Sequence, residues 1–153
     1  MEPTSIEEVR KFAEGSFASG LYCAESVVLA IARAQGIQSE LLPKIATGLC
    51  SGMARSCGTC GAITGAIMGI GLALGRSTPD ESVEPSYTAA RKFIKEFEQE
   101  YGDRSCFVLL GGCDMSTPEG QATFVENKLF ERCQQITGRA AEIAARIIAE
   151  SKR

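Results

Sequence analysis

Histidine does not occur anywhere in the 153-residue chain. Its absence removes Ser–His and Cys–His nucleophilic pairs and imidazole metal ligands. It also removes covalent haem attachment, which needs Cys-x-x-Cys-His. Concentrated positive charge is missing as well. Lys and Arg are scattered and the formal net charge is −3, whereas a nucleic-acid surface needs a basic face. The opening residues Met1-Glu2-Pro3-Thr4-Ser5 have neither the basic start nor the apolar stretch of a secretory signal. The longest apolar run, Gly61 to Gly75, falls short of the roughly 20 residues that cross a bilayer. Together these absences lead us to expect a cytoplasmic protein that neither spans a membrane nor binds nucleic acid. No period-two alternation persists, so strands are not expected. No repeat, low-complexity tract or linker divides the chain, and residues 1–153 read as one domain, large enough to bury a core without disulfides.

What is present is helical periodicity. Thr4-x-x-Glu7 and Ser5-x-x-Glu8 are capping-box patterns ahead of Ile6, Val9, Phe12 and Ala13, which share a helix face. Further helices are predicted over about Tyr22–Gln35, Ser39–Leu49, Cys60–Leu74 and Ser86–Tyr101. A short one follows Asp103-Arg104-Ser105, another start lies at Thr117-Pro118, and a last one carries Ile143, Ile147 and Ile148. The expected fold is an all-α bundle of about seven helices. In the fourth, Gly61, Gly65 and Gly69 recur every four residues. Each glycine costs roughly 1 kcal/mol of helix propensity, so this helix is expected to be central, with another helix close against its bare face.

Seven cysteines are many for a reducing compartment, where structural disulfides are rare and thiols serve as metal ligands or redox groups. Cys23, Cys60, Cys106 and Cys133 fall at or near predicted helix starts, where the helix dipole favours an anion such as a thiolate. Cys50 and Cys113 are read as buried, inert small hydrophobes. Cys57-Gly58-Thr59-Cys60 is a Cys-x-x-Cys at a helix start, a spacing that serves reversible disulfide chemistry or metal chelation. The strand–helix–strand setting of a thioredoxin is absent.

These residues resemble the C_GCAxxG_C_C family of redox-active proteins. The likeness rests on Cys60-Gly61-Ala62-Ile63-Thr64-Gly65-Ala66, preceded by Tyr22-Cys23-Ala24-Glu25-Ser26-Val27. It continues with Cys106-Phe107-Val108-Leu109-Leu110-Gly111 and Leu129-Phe130-Glu131-Arg132-Cys133. The resemblance implies a helical fold, a redox role and a characteristic cysteine set at Cys23, Cys60, Cys106 and Cys133. It extends to the non-haem part of split-Soret cytochromes, which implies an iron–sulfur cluster. Cys50, Cys57 and Cys113 depart from the family pattern.

Three chemistries follow as expectations. In the first, Cys23, Cys60, Cys106 and Cys133 hold a [2Fe–2S] cluster for electron transfer, with Arg55 and Arg104 adding positive charge. In the second, no cofactor is needed: Cys60 is the attacking thiolate of a dithiol oxidoreductase, and Cys57 or Cys23 resolves the mixed disulfide. In the third, the same four thiolates hold structural zinc. Haem is not expected. The expected partner is a redox protein, and the chain is compatible with a homodimer.

Overall fold

The computed structural model describes residues 4–152. Eight right-handed α-helices and one left-handed turn account for most of them. No strand forms among the described residues; the one β-like feature is an isolated antiparallel bridge, Thr59 to Ser105. The all-α expectation holds, with one helix more than the expected seven.

The first helix, α1 (Ile6–Ala18), starts where the capping-box pattern places it. Ser5 Oγ accepts the Glu8 N–H at 3.1 Å, and Glu8 Oε2 accepts the Ser5 N–H at 2.9 Å. α2 (Cys23–Ala34) is rich in Ala and Val and is buried around much of its circumference. Its carboxylate Glu25 is buried but well supplied with donors: the Tyr22 N–H at 2.9 Å, Thr47 Oγ1 at 2.9 Å and the Cys50 thiol at 3.6 Å. α3 (Leu41–Ala46) runs into a 3₁₀ turn (Thr47–Leu49).

The next segment, α4 (Cys50–Arg55), falls between the helices predicted over Ser39–Leu49 and Cys60–Leu74 and winds left-handed. Ser51, Gly52, Met53 and Ala54 all lie near φ 60°, ψ 40–70°, and Arg55 also has a positive φ, 63°. L-residues other than glycine enter this region singly, at roughly 1–2 kcal/mol each in a left-handed helix. A run of this kind is strained, and such strain concentrates at functional sites.

α5 (Gly61–Leu74) is the glycine helix, and α2 is the helix pressed to its bare face. A Cβ added at Gly65 would stand 2.6 Å from the Ala24 carbonyl oxygen; one at Gly69 would stand 2.7 Å from the Ile31 side chain. At Gly61 the first atom met, at 2.4 Å, is the Cys23 sulfur itself. The glycines therefore let two backbones meet and bring Cys23 against the start of α5.

α6 (Glu84–Tyr101) ends at left-handed Gly102 and buries Ala89, Phe93 and Phe97. α7 (Cys106–Leu109) is one turn capped by Ser105, and α8 (Pro118–Glu126) is capped by Thr117 with Pro118 in its first turn. The long α9 (Leu129–Ser151) buries Ile136, Ala140, Ile143, Ala144 and Ile147 along one stripe. These join Val27, Ile31, Ile63, Ile70, Phe93 and Phe97 in the main core. One end of this bundle, where α2, α5, α7 and α9 begin, carries the cysteines.

A four-cysteine cavity at the helix starts

Each sulfur reaches this end of the bundle by a different local device. Cys23 is the first residue of α2 and Cys60 is the N-cap of α5. Cys106 opens α7, and the Thr59–Ser105 bridge fixes it relative to Cys60: the Cys60 N–H donates to the Arg104 carbonyl at 2.7 Å, and the Cys106 N–H to the Gly58 carbonyl at 3.0 Å. In an antiparallel bridge with Thr59 opposite Ser105, residues 60 and 106 are diagonal neighbours on one face. Cys133 lies in the second turn of α9, not at its start, because that helix begins at Leu129 after left-handed Lys128. Arg132 Nε, donating to the Leu109 carbonyl at 2.7 Å, ties this part of α9 to α7.

The structure brings all four of these cysteines to one cavity of about 250 Å³. Its remaining wall is mostly apolar, from Phe17, Leu109, Leu110, Phe124 and Phe130, with Ser51, Gly52 and Arg55 of the left-handed turn across one side. Gly52 is required there. A Cβ at this position would stand 2.6 Å from Cys106 Cβ and 3.3 Å from its sulfur.

Cys57 goes elsewhere. Its thiol donates to Asp114 Oδ1 at 3.2 Å, and it lines a separate polar cleft with Glu98, Asp103 and Arg104. Cys57 has a left-handed backbone, φ 60°, just ahead of the bridged stretch that carries Cys60, and the two cysteines line different cavities. Arg104 pairs with Glu98 in that cleft, so only Arg55 of the two expected cations borders the cysteine cavity. Cys113 is buried and donates to the Gly120 carbonyl at 3.0 Å. Cys50 is buried as expected but not isolated: its thiol donates to Glu25 at 3.6 Å and the Ala46 carbonyl at 3.7 Å, and it is the first influence lowering the Cys23 pKa. The sequence reading missed that influence. It also missed Thr137, whose signal was available: Cys133-x-x-x-Thr137 puts both on one face of a helix.

The expectation that helix starts lower all four thiol pKa values holds for one. Cys23 is lowered to about 7, first by the Cys50 thiol and then by the Ser51 and Ala24 N–H groups, against the penalty of burial. At Cys60, burial and then the nearby Cys23 charge push the pKa well up, and the Ala62 N–H offsets only part of this. Burial, followed by Cys23, pushes Cys106 up to about 11 and Cys133 up to about 12. Cys57 is also raised, chiefly by its bond to the Asp114 carboxylate. Desolvation overrides the dipole at the buried sites, and the one-turn α7 has little dipole to offer.

Four soft sulfur donors around one pocket fit an iron–sulfur cluster or zinc by donor type. Among the described residues, no group of three or more Cys, Asp or Glu is arranged to close on a single metal ion. The buried Thr137 hydroxyl on the wall has no hydrogen-bond partner, a further sign that the wall is made for an occupant.

No helix among the described residues is long and apolar enough to cross a membrane. A family model described as "Putative redox-active protein (C_GCAxxG_C_C)" matches residues 21–147. No curated protein and no solved structure matches the chain.

Proposed function

Since the chain belongs to the C_GCAxxG_C_C family of redox-active proteins, we propose that it is an electron carrier whose Cys23, Cys60, Cys106 and Cys133 hold a [2Fe–2S] cluster. The observation that carries this reading is the meeting of four thiols, from four separate elements, on one cavity. Four thiolates complete the terminal ligation of such a cluster, which would supply one-electron chemistry when bound. Zinc would need the same four thiolates, and the metal and sulfide counts below separate the two. The chain's own contribution is to fix the ligands on helix ends, to keep water from the site with Phe17, Leu109 and Phe130, and to hold Arg55 at the border, where its charge offsets that of the thiolates. Its physiological counterpart would be a redox protein docking at this end of the bundle.

A second reading draws on the contact between Cys50 and Cys23. As a thiol–disulfide oxidoreductase, the chain would attack a substrate disulfide with the Cys23 thiolate, releasing one substrate thiol. Cys50 would then displace the second as a thiol, leaving a Cys23–Cys50 disulfide. The pair gives up two electrons and the substrate disulfide gains them. This version differs from the expected one, in which Cys60 attacks and Cys57 or Cys23 resolves: Cys57 is engaged with Asp114, and Cys23 takes the attacking role.

The test is purification without oxygen, followed by iron, acid-labile sulfide, zinc and free-thiol counts and a visible spectrum. Equal iron and sulfide with charge-transfer absorption supports the cluster. Stoichiometric zinc in a colourless protein overturns it in favour of a structural site. Metal-free protein with a reversible Cys23–Cys50 disulfide overturns it in favour of the oxidoreductase.

A further inference from the structure

Thr137 sits on α9 one turn beyond Cys133, at the spacing that stacks two side chains on one helix face. Both residues line the cysteine cavity. A threonine inside a helix ordinarily returns its hydroxyl to the carbonyl one turn back. Here the side chain is fully buried, and Oγ1 bonds neither to the Cys133 carbonyl nor to anything else in the protein. A buried hydroxyl without a partner is destabilising by about 1–3 kcal/mol. A valine of the same shape would avoid that cost, so the hydroxyl calls for a role beyond packing. Ser26 Oγ is also buried and unpaired, but Ser26 does not line the cavity. It serves as an internal control.

We propose that the Thr137 hydroxyl is a positioning donor for the occupant of the cysteine cavity, giving a hydrogen bond to its sulfur and setting its reduction potential. This rests on the cluster reading above. The direction follows from charge. Reduction adds an electron to an anionic, sulfur-rich group, and a donor aimed at that sulfur stabilises the more negative state, so the bond raises the potential.

The experiment uses the full chain, purified without oxygen and loaded with iron and sulfide. Redox titration followed by visible absorption compares the unaltered chain with Thr137→Val, Thr137→Ala, Thr137→Ser and Ser26→Ala. Thr137→Val and Thr137→Ala should keep the unaltered iron and sulfide content and titrate at lower potential. A tenfold shift in the oxidised-to-reduced ratio would correspond to ~59 mV for one electron. Thr137→Ser should restore the original value, and Ser26→Ala should not move it. In a thermal melt of metal-free protein, Thr137→Val should unfold no earlier than the unaltered chain, since it removes an unpaired hydroxyl. Unchanged potentials in fully loaded Thr137→Val and Thr137→Ala would overturn the inference and leave the cluster reading standing. An unaltered chain that takes up neither iron nor sulfide would end both.

Discussion

The Cys57 thiol donates to the Asp114 carboxylate, Sγ to Oδ1 3.2 Å, although Cys57 belongs to the same Cys-x-x-Cys as Cys60. Asp114 is itself held ionised by the Ser116 hydroxyl and N–H together with Cys57. That contact keeps the Cys57 proton in place and its sulfur on the outer cleft, while Cys60 faces the cavity. The motif here joins two sites instead of forming one.

The first prediction follows from that separation. Cys57→Ser retains a hydroxyl donor for Asp114 and should retain the metal content of the unaltered chain. Cys60→Ser and Cys106→Ser should lose it, because the proposed cluster takes four thiolates and neither of these can be spared. Metal per chain in the three variants, purified without oxygen, gives the comparison. Loss in Cys57→Ser with retention in Cys106→Ser would reverse the ligand assignment.

Packing gives the second. A methyl at Gly65 would press on the Ala24 carbonyl oxygen at 2.6 Å, backbone against backbone, which only a shift of α2 can relieve. Gly65→Ala should therefore destabilise by about 1–3 kcal/mol and Gly65→Leu by more. Gly71 lies on the same helix with nothing within 4 Å of an added Cβ. Gly71→Ala should stabilise by up to about 1 kcal/mol through helix propensity. Denaturant unfolding of the two Ala variants tests both signs at once.

Why these features differed in legibility is visible at the same residues. Gly61, Gly65 and Gly69 announced a close helix partner because a glycine every fourth residue has few other physical explanations, and Ser5 announced a helix start because capping is local. Cys23, Cys60, Cys106 and Cys133 could be selected through helix boundaries and family likeness. Their meeting at one cavity became visible only with the tertiary structure. The left-handed run at Ser51–Arg55 was hidden because Ser, Met, Ala and Arg have no local preference for it; tertiary contacts impose it. Burial was hidden for the same reason, which is why the thiol acidities moved against the dipole at Cys60.

Acidity gives the third prediction. In reduced, metal-free protein Cys23, at about 7, should alkylate fastest at neutral pH, ahead of Cys60. Removing the Cys50 thiol in Cys50→Ala should raise the Cys23 pKa and slow its labelling, because Cys50 is the first of the groups that lower it. Peptide-level mass spectrometry after brief iodoacetamide treatment reads both. Fastest labelling at Cys60 would contradict the arrangement.

The same values fix a pH profile for the metal-free fold. An unfolded cysteine titrates near ~8.5. Cys23 is depressed, so its contribution is full above that value and is lost as pH falls through about 7. Cys106 and Cys133 are raised, to about 11 and about 12. Their contribution is full below ~8.5 and is lost as pH rises toward those values. Chemical denaturation under reducing conditions should thus show stability rising from pH 7 to the mid-8 range and falling beyond it. A steady rise to pH 10 would be inconsistent with burial of these thiols.

The left-handed turn yields the last prediction. Ala54 is exposed and held at φ 58°, ψ 43°. Ala54→Gly removes the steric cost of that conformation, roughly 1–2 kcal/mol, but gives the unfolded chain more freedom, offsetting about 0.4–1 kcal/mol. The net expectation is a gain of about 0.5–1 kcal/mol, by difference of those two figures. Gly52 has the opposite requirement. It shares the left-handed backbone at φ 65°, and its missing Cβ makes room for Cys106. Gly52→Ala should therefore be strained twice, in its backbone and against the Cys106 side chain, and should displace Cys106 as well as lower stability. Thermal melts of the two metal-free variants, with iron content after anaerobic loading, separate the effects. Ala54→Gly should melt later and load normally; Gly52→Ala should melt earlier and load poorly. If Ala54→Gly melts earlier than the unaltered chain, the left-handed run is not the source of strain it is argued to be. If Gly52→Ala loads fully, Cys106 does not depend on the gap beneath it.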